Sequence, residues 1–214
     1  MAHPGNTLRE IMAELDELRA RADASFARVA TEFPQAVACQ PGCDDCCHAL
    51  FDLSPVESLS LALAFTELPR ASRREAQRRA EKAAAAFDQA MAAAFAQQGE
   101  ARLKALSAAR VACPLLDAGR CLLYQSRPLT CRLYGVPQNI EGQARICHRA
   151  RFEPGRTYPT VDMLRVQMEL ERLSGLAAHY LPSLANARRD LARSLGLAQS
   201  HGPLLRSLLD RPTA

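Results

Sequence analysis

From Thr7 to about Phe33 the apolar positions fall at Leu8, Ile11, Leu15, Leu18, Ala22, Phe26, Val29 and Phe33. The gaps run in threes and fours, the spacing of one helical face, and Pro34 stops the pattern. Ser54-Pro55-Val56-Glu57 is a helix start with three agreeing signals. Serine caps, proline takes the first helical position and glutamate the third. That helix is predicted to run to about Glu67, before Pro69. A longer one is expected from Ser72 to Gln98, with Gly99 as its stop, and a shorter one over 100–110. In the long helix Phe87, Met91 and Phe95 are spaced by four and read as a core-facing seam. Helix returns at Thr160, a capping residue, and runs through Leu173 to a close at Gly175. Another is predicted from Ser183 to Leu195, ending at Gly196, while the tail from His201 adds a short helix or frays.

Between 111 and 159 the helical pattern fails. Pro114, Pro128, Pro137, Pro154 and Pro159 fall there, with Gly119, Gly135, Gly142 and Gly155. A long irregular segment inside a compact domain needs something to hold it. The expected fold is therefore mainly α, with helices packed around an irregular cysteine-rich metal-binding core. It is read as a single domain over 1–214. An N-terminal helix occupies 1–36, a cysteine-cluster metal-binding region 37–159 and C-terminal helices 160–214.

Composition sharpens this. The chain is 48% hydrophobic but only 5% aromatic, without tryptophan, so alanine and leucine supply the bulk and favour packed helices. No apolar run is long enough to span a bilayer, and the N-terminus leads into a charged helix rather than a secretory signal. The expectation is a cytoplasmic bacterial protein with no membrane partner. The net charge is +4, and apart from Lys82 and Lys104 the basic side chains are arginine. They form no concentrated stripe with stacking aromatics, so nucleic acid is not an expected partner.

The chemistry lies in the cysteines. Cys39, Cys43, Cys46 and Cys47 form one cluster; Cys113, Cys121, Cys131 and Cys147 form the other. In a reducing compartment such clusters are more often metal-binding or redox-active than disulfide-forming. Cys43-x-x-Cys46 has knuckle spacing, which lets both thiolates face one ion. Gly42 supplies a turn at positive φ, and Pro41 fixes the approach to it. The adjacent side chains of Cys46 and Cys47 are expected to diverge. They suggest two neighbouring ions or a multi-iron cluster; a disulfide between them would be strained. Eight thiols allow two four-sulfur sites, or one with free thiols left over. All eight are candidate ligands, and Asp44, Asp45, His48 and His148 stand beside them as substitutes. Between 110 and 156 eight arginines face three acidic residues, Asp117, Glu141 and Glu153, an excess of +5. Arg127 and Arg132 flank Cys131 and are the candidates to offset the charge of a cofactor held there.

Cys39-x3-Cys43-x2-Cys46-Cys47, with Cys113-Pro-Leu-Leu, Cys121-x2-Tyr124-x2-Arg127-Pro128-x2-Cys131-Arg132 and Tyr134-Gly135, resembles the YkgJ-type cysteine-cluster family. That family is a zinc- or iron-chelating domain with a CxxCxxCC signature. The resemblance covers roughly 39–147 and implies a metal centre, without a defined reaction. It departs at the first gap, which holds three residues here. An iron–sulfur cluster is the favoured group and zinc the alternative. Thiol redox chemistry at the CxxC and Cu(I) handling rank below them. Tyr124 and Tyr134 read as packing residues, and the serines with His179 and His201 form no nucleophile arrangement, so no catalytic residue is named. The expected partner is another protein, redox or otherwise.

Overall fold

The computed structural model describes residues 7–40, 42–140, 142–182 and 187–209. Pro41, Glu141, Ser183 and the last residues of the tail lie outside them. In chain order the helices are α1 (Leu8–Glu32), α2 (Pro55–Thr66), α3 (Arg70–Phe95), α4 (Gly99–Ala108), α5 (Leu129–Leu133), α6 (Met163–Ala178) and α7 (Leu191–Leu209). The strands are short: β1 (Asp52–Leu53), β2 (Leu116–Asp117), β3 (Arg120–Cys121), β4 (Gln138–Ile140), β5 (Gln143–Arg145), β6 (Val161–Asp162) and β7 (Arg189–Asp190). The fold is mainly helical, as the periodicity requires. Two compact units emerge. The first gathers 7–43 and 127–182; the second gathers 44–126 and 187–209.

In the first unit α1 begins with a capping box. Thr7 Oγ1 accepts from Glu10 N–H at 3.2 Å, and the Glu10 carboxylate accepts from Thr7 N–H at 2.7 Å. Leu8, Ile11, Leu15, Leu18, Ala22 and Val29 are buried along one face, each large side chain contributing about 1.5–3 kcal/mol. Phe26 and Phe33 at the end of the stripe are half-buried. That face packs against α5 and α6. β4 pairs antiparallel with β5 and parallel with β6. α6 is capped by Asp162, which accepts from Leu164 N–H at 3.0 Å, and not by Thr160. It also runs past Gly175, because Leu170, Leu173 and Ala177 are buried on one face and outweigh the roughly 1 kcal/mol cost of an interior glycine.

In the second unit α2 starts at Ser54 with the predicted capping box: Ser54 Oγ donates to Glu57 Oε2 at 2.8 Å and its N–H donates to the same oxygen at 3.2 Å. α2 and α3 pack against α7. The core holds Leu53, Leu61, Phe65, Leu115, Leu123 and Leu195 with Ala76, Ala80 and Ala83. α3 therefore turns alanines inward where a Phe87–Met91–Phe95 seam was expected. Small side chains let the α7 axis approach closely. Phe87 and Met91 are half-buried, and Phe95 is 54% exposed beneath the Arg102 guanidinium, 3.7 Å from its ring centre. α7 is capped by buried Asp190, which accepts from Arg193 N–H at 2.9 Å. It passes through Gly196, the predicted stop, because packing on α2 continues: a Cβ on Gly202 would lie 3.4 Å from Thr66 Cγ2. No described helix is long and apolar enough to cross a membrane.

Candidate metal centre

The cysteine turn of the second unit is a 3₁₀ turn over Asp45–His48, closed by Cys47 N–H donating to the Asp44 carbonyl at 2.8 Å. The segment before Cys113 runs alongside it. Val111 N–H donates to the His48 carbonyl at 3.0 Å, Cys113 N–H to the Cys47 carbonyl at 2.7 Å, and Ala49 bridges Arg110. This short ladder joins residues more than sixty apart in sequence and brings Cys47 beside Cys113. Asp45, 1% exposed, anchors it from beneath, taking Arg110 Nη2 at 2.6 Å. Asp45 is thus a buried ion-pair partner, and Asp44 faces His48 Nε2 at 3.6 Å.

Three thiols meet here. Cys47 hydrogen-bonds both Cys113 and Cys46. The expected divergence of Cys46 and Cys47 does not occur, because the tight 3₁₀ turn keeps both sulfurs on the Cys113 side. The Cys113 sulfur, accepting from Cys47, is held below the usual thiol range. The Cys47 thiol is pushed far above it, first by that bond to Cys113, then by its bond to Cys46 and by burial. Cys121 lies on the β2–β3 hairpin that starts just after Cys113. Leu116 pairs with Cys121, Leu122 N–H donates to the Leu115 carbonyl at 2.9 Å, and Cys113 and Cys121 pack against the same core. Arg79 pins the loop to α3, donating from Nε to the Pro114 carbonyl at 2.9 Å and from Nη1 to Asp117 at 3.1 Å.

The first unit holds the other four cysteines. Cys39 abuts Gly135, where a Cβ would lie 2.2 Å from Cys39 Sγ and 3.3 Å from Phe26 Cε2. Cys131 sits on α5, Cys43 in a turn whose N–H donates to the Gln40 carbonyl at 2.9 Å, and Cys147 is buried. Arg132, also on α5 and 7% exposed, pairs with Asp23 and donates through Nε to the Arg127 carbonyl at 3.0 Å. Burial, with Arg19 and Arg127 nearby, holds its guanidinium below the usual arginine range despite Asp23. Asp23 lies on the polar side of α1, and no sequence spacing pointed to it. The arginine excess is thus partly matched by carboxylates from outside the 110–156 window. All eight cysteines stand as thiols, none in a disulfide.

By unit, Cys46, Cys47, Cys113 and Cys121 fall in the second and Cys39, Cys43, Cys131 and Cys147 in the first, so each unit draws on both sequence clusters. Thiol donors that meet, as Cys46, Cys47 and Cys113 do, suit zinc or iron rather than magnesium or calcium, which take oxygen ligands. The family model CxxCxxCC, described as "Putative zinc- or iron-chelating domain", matches residues 38–148, just over half of the chain and all eight cysteines. No curated protein and no solved structure matches it. A knot of thiols closed by long-range backbone pairing, within a segment that this model covers, leads to one conclusion: the chain belongs to the CxxCxxCC family of zinc- or iron-chelating domains.

Proposed function

We propose that Cys46, Cys47, Cys113 and Cys121 hold an iron–sulfur cluster and that the protein exchanges electrons with a protein partner. The meeting of Cys46, Cys47 and Cys113 thiols in one patch supports this reading. Neighbouring residues bond one ion only with a strained chelate ring, whereas a cluster offers them different irons. Bound there, such a cluster supplies reversible one-electron transfer. The residues around it keep the thiols in place: the 47–113 backbone bond sets their spacing, and the Asp45–Arg110 pair fixes the turn. The second reading is zinc on the same four thiolates, a donor set that suits a closed structural site.

Metal and sulfide quantification on full-length protein purified without oxygen tests both. Iron with matching acid-labile sulfide and a brown colour is the expected outcome. Zinc with neither iron nor sulfide, in protein that also fails reconstitution, sinks the cluster and leaves the zinc reading. Cys46→Ser and Cys113→Ser are each expected to lower the metal content; full occupancy in both would remove these thiols from the ligand set.

A further inference from the structure

We infer that Cys47 and Cys113 form an oxidative modification site: in the metal-free protein a peroxide joins them as a disulfide, which ties the 3₁₀ turn to the segment entering the β2–β3 hairpin. The backbone places the pair. Cys113 N–H donates to the Cys47 carbonyl at 2.7 Å, and the neighbouring bridge of Ala49 with Arg110 is antiparallel. Residues facing each other across such a bond have Cα atoms about 5.5 Å apart. A disulfide spans about 4.4–6.8 Å. Side chains of facing residues leave the backbone on the same side, and these two sulfurs already meet as a hydrogen-bonded pair. The link therefore asks for little backbone movement, although the residues are more than sixty apart in sequence.

The third thiol of the patch does not compete. Cys46 also hydrogen-bonds Cys47, but a disulfide between adjacent residues is strained. Oxidant can reach the pair. Cys47 and Cys113 are half-buried, and Cys113 lines a cleft of about 300 Å³ with Phe51, Phe87 and Val111. The chemistry balances with hydrogen peroxide as oxidant. One thiol sulfur attacks a peroxide oxygen, the O–O bond breaks, and a sulfenic acid and one water result. The facing sulfur then attacks the sulfenic sulfur, the S–O bond breaks and a second water leaves. Two electrons pass from the sulfurs to the peroxide, and both thiol protons end in water. The inference needs only that the two thiols meet. It does not rest on the cluster or the zinc site proposed above, so each can fail alone.

The test uses the full chain, stripped with chelator and reductant and then freed of both without oxygen. One equivalent of hydrogen peroxide is added. Free thiols are expected to fall from eight to six and to return to eight with reductant. Non-reducing digestion should yield the Cys113 peptide joined to the peptide carrying Cys47, two hydrogens lighter than their sum, with fragment ions placing the bond on Cys47. Cys46→Ser is expected to form the link at native yield, and Cys47→Ser to lose most of it. A native chain whose Cys113 peptide stays unlinked, or is joined at Cys46 or at any other cysteine, would overturn the inference. So would Cys47→Ser that links Cys113 as readily as the native chain. The native peptide map decides alone should a variant unfold by circular dichroism. Because metal is removed first, the expected map is the same whether the protein holds iron, zinc or neither.

Discussion

Cys47 and Cys113 differ sharply in chemistry although both are half-buried thiols in one patch. The bond between them stabilises a thiolate on Cys113 and keeps the proton on Cys47. A thiolate, not a thiol, is the nucleophile and the ligand. In reduced, metal-free protein Cys113 is therefore expected to react with iodoacetamide at a pH below the roughly 8.5 of an ordinary cysteine, while Cys47 stays unmodified. Peptide mapping by mass spectrometry across a pH series reads this directly. Equal labelling of both at every pH would show that the pair does not share its proton. The presence of the cysteines was legible in the sequence. Their different acidities were not, because they arise from a contact between residues 47 and 113 that no local spacing encodes.

Elements divide along the same line. The starts of α1 and α2 were readable because a capping box is a local motif: the residues that satisfy the first N–H groups lie three positions apart. The ends of α6 and α7 were not. Gly175 and Gly196 read as stops, yet both helices continue because tertiary burial exceeds the small cost of glycine. The β2–β3 hairpin is a further case. Its two-residue turn, Ala118-Gly119, has both φ angles positive, 45° and 75°, as a type I′ turn requires. Glycine meets that need, whereas alanine is strained there by about 1 kcal/mol. Ala118→Asn is therefore expected to stabilise the protein by roughly 0.5–1 kcal/mol, because asparagine tolerates the left-handed region. A urea unfolding midpoint that stays put or falls would show that the turn carries no such strain.

At the scale of the molecule, much of 111–159 has little regular structure of its own. Its hydrogen bonds go to distant segments: Val111 and Cys113 to the 47–48 turn, Arg151 to Ala36. Ligand bonds reinforce contacts of this kind, so metal binding and folding are coupled. Stripping metal with a chelator under reducing conditions is expected to raise amide exchange over 111–123 and to leave the α2–α3–α7 helices protected, because those rest on an apolar core. Protection of 111–123 unchanged after complete removal would show that the hairpin needs no metal.

The helical class, the positions of α1 and α2, the irregular middle and the eight candidate ligands followed from periodicity, capping signals and composition, all properties of neighbouring residues. The pairing of Cys46 and Cys47 with Cys113, the cradle of Gly135 for Cys39 and the burial of Arg132 against Asp23 did not follow. The two clusters along the chain are re-sorted between the two units, each of which holds cysteines from both. Only long-range backbone pairing could re-sort them, because the partner of a thiol is chosen by which segments fold side by side, not by which cysteine comes next in the chain.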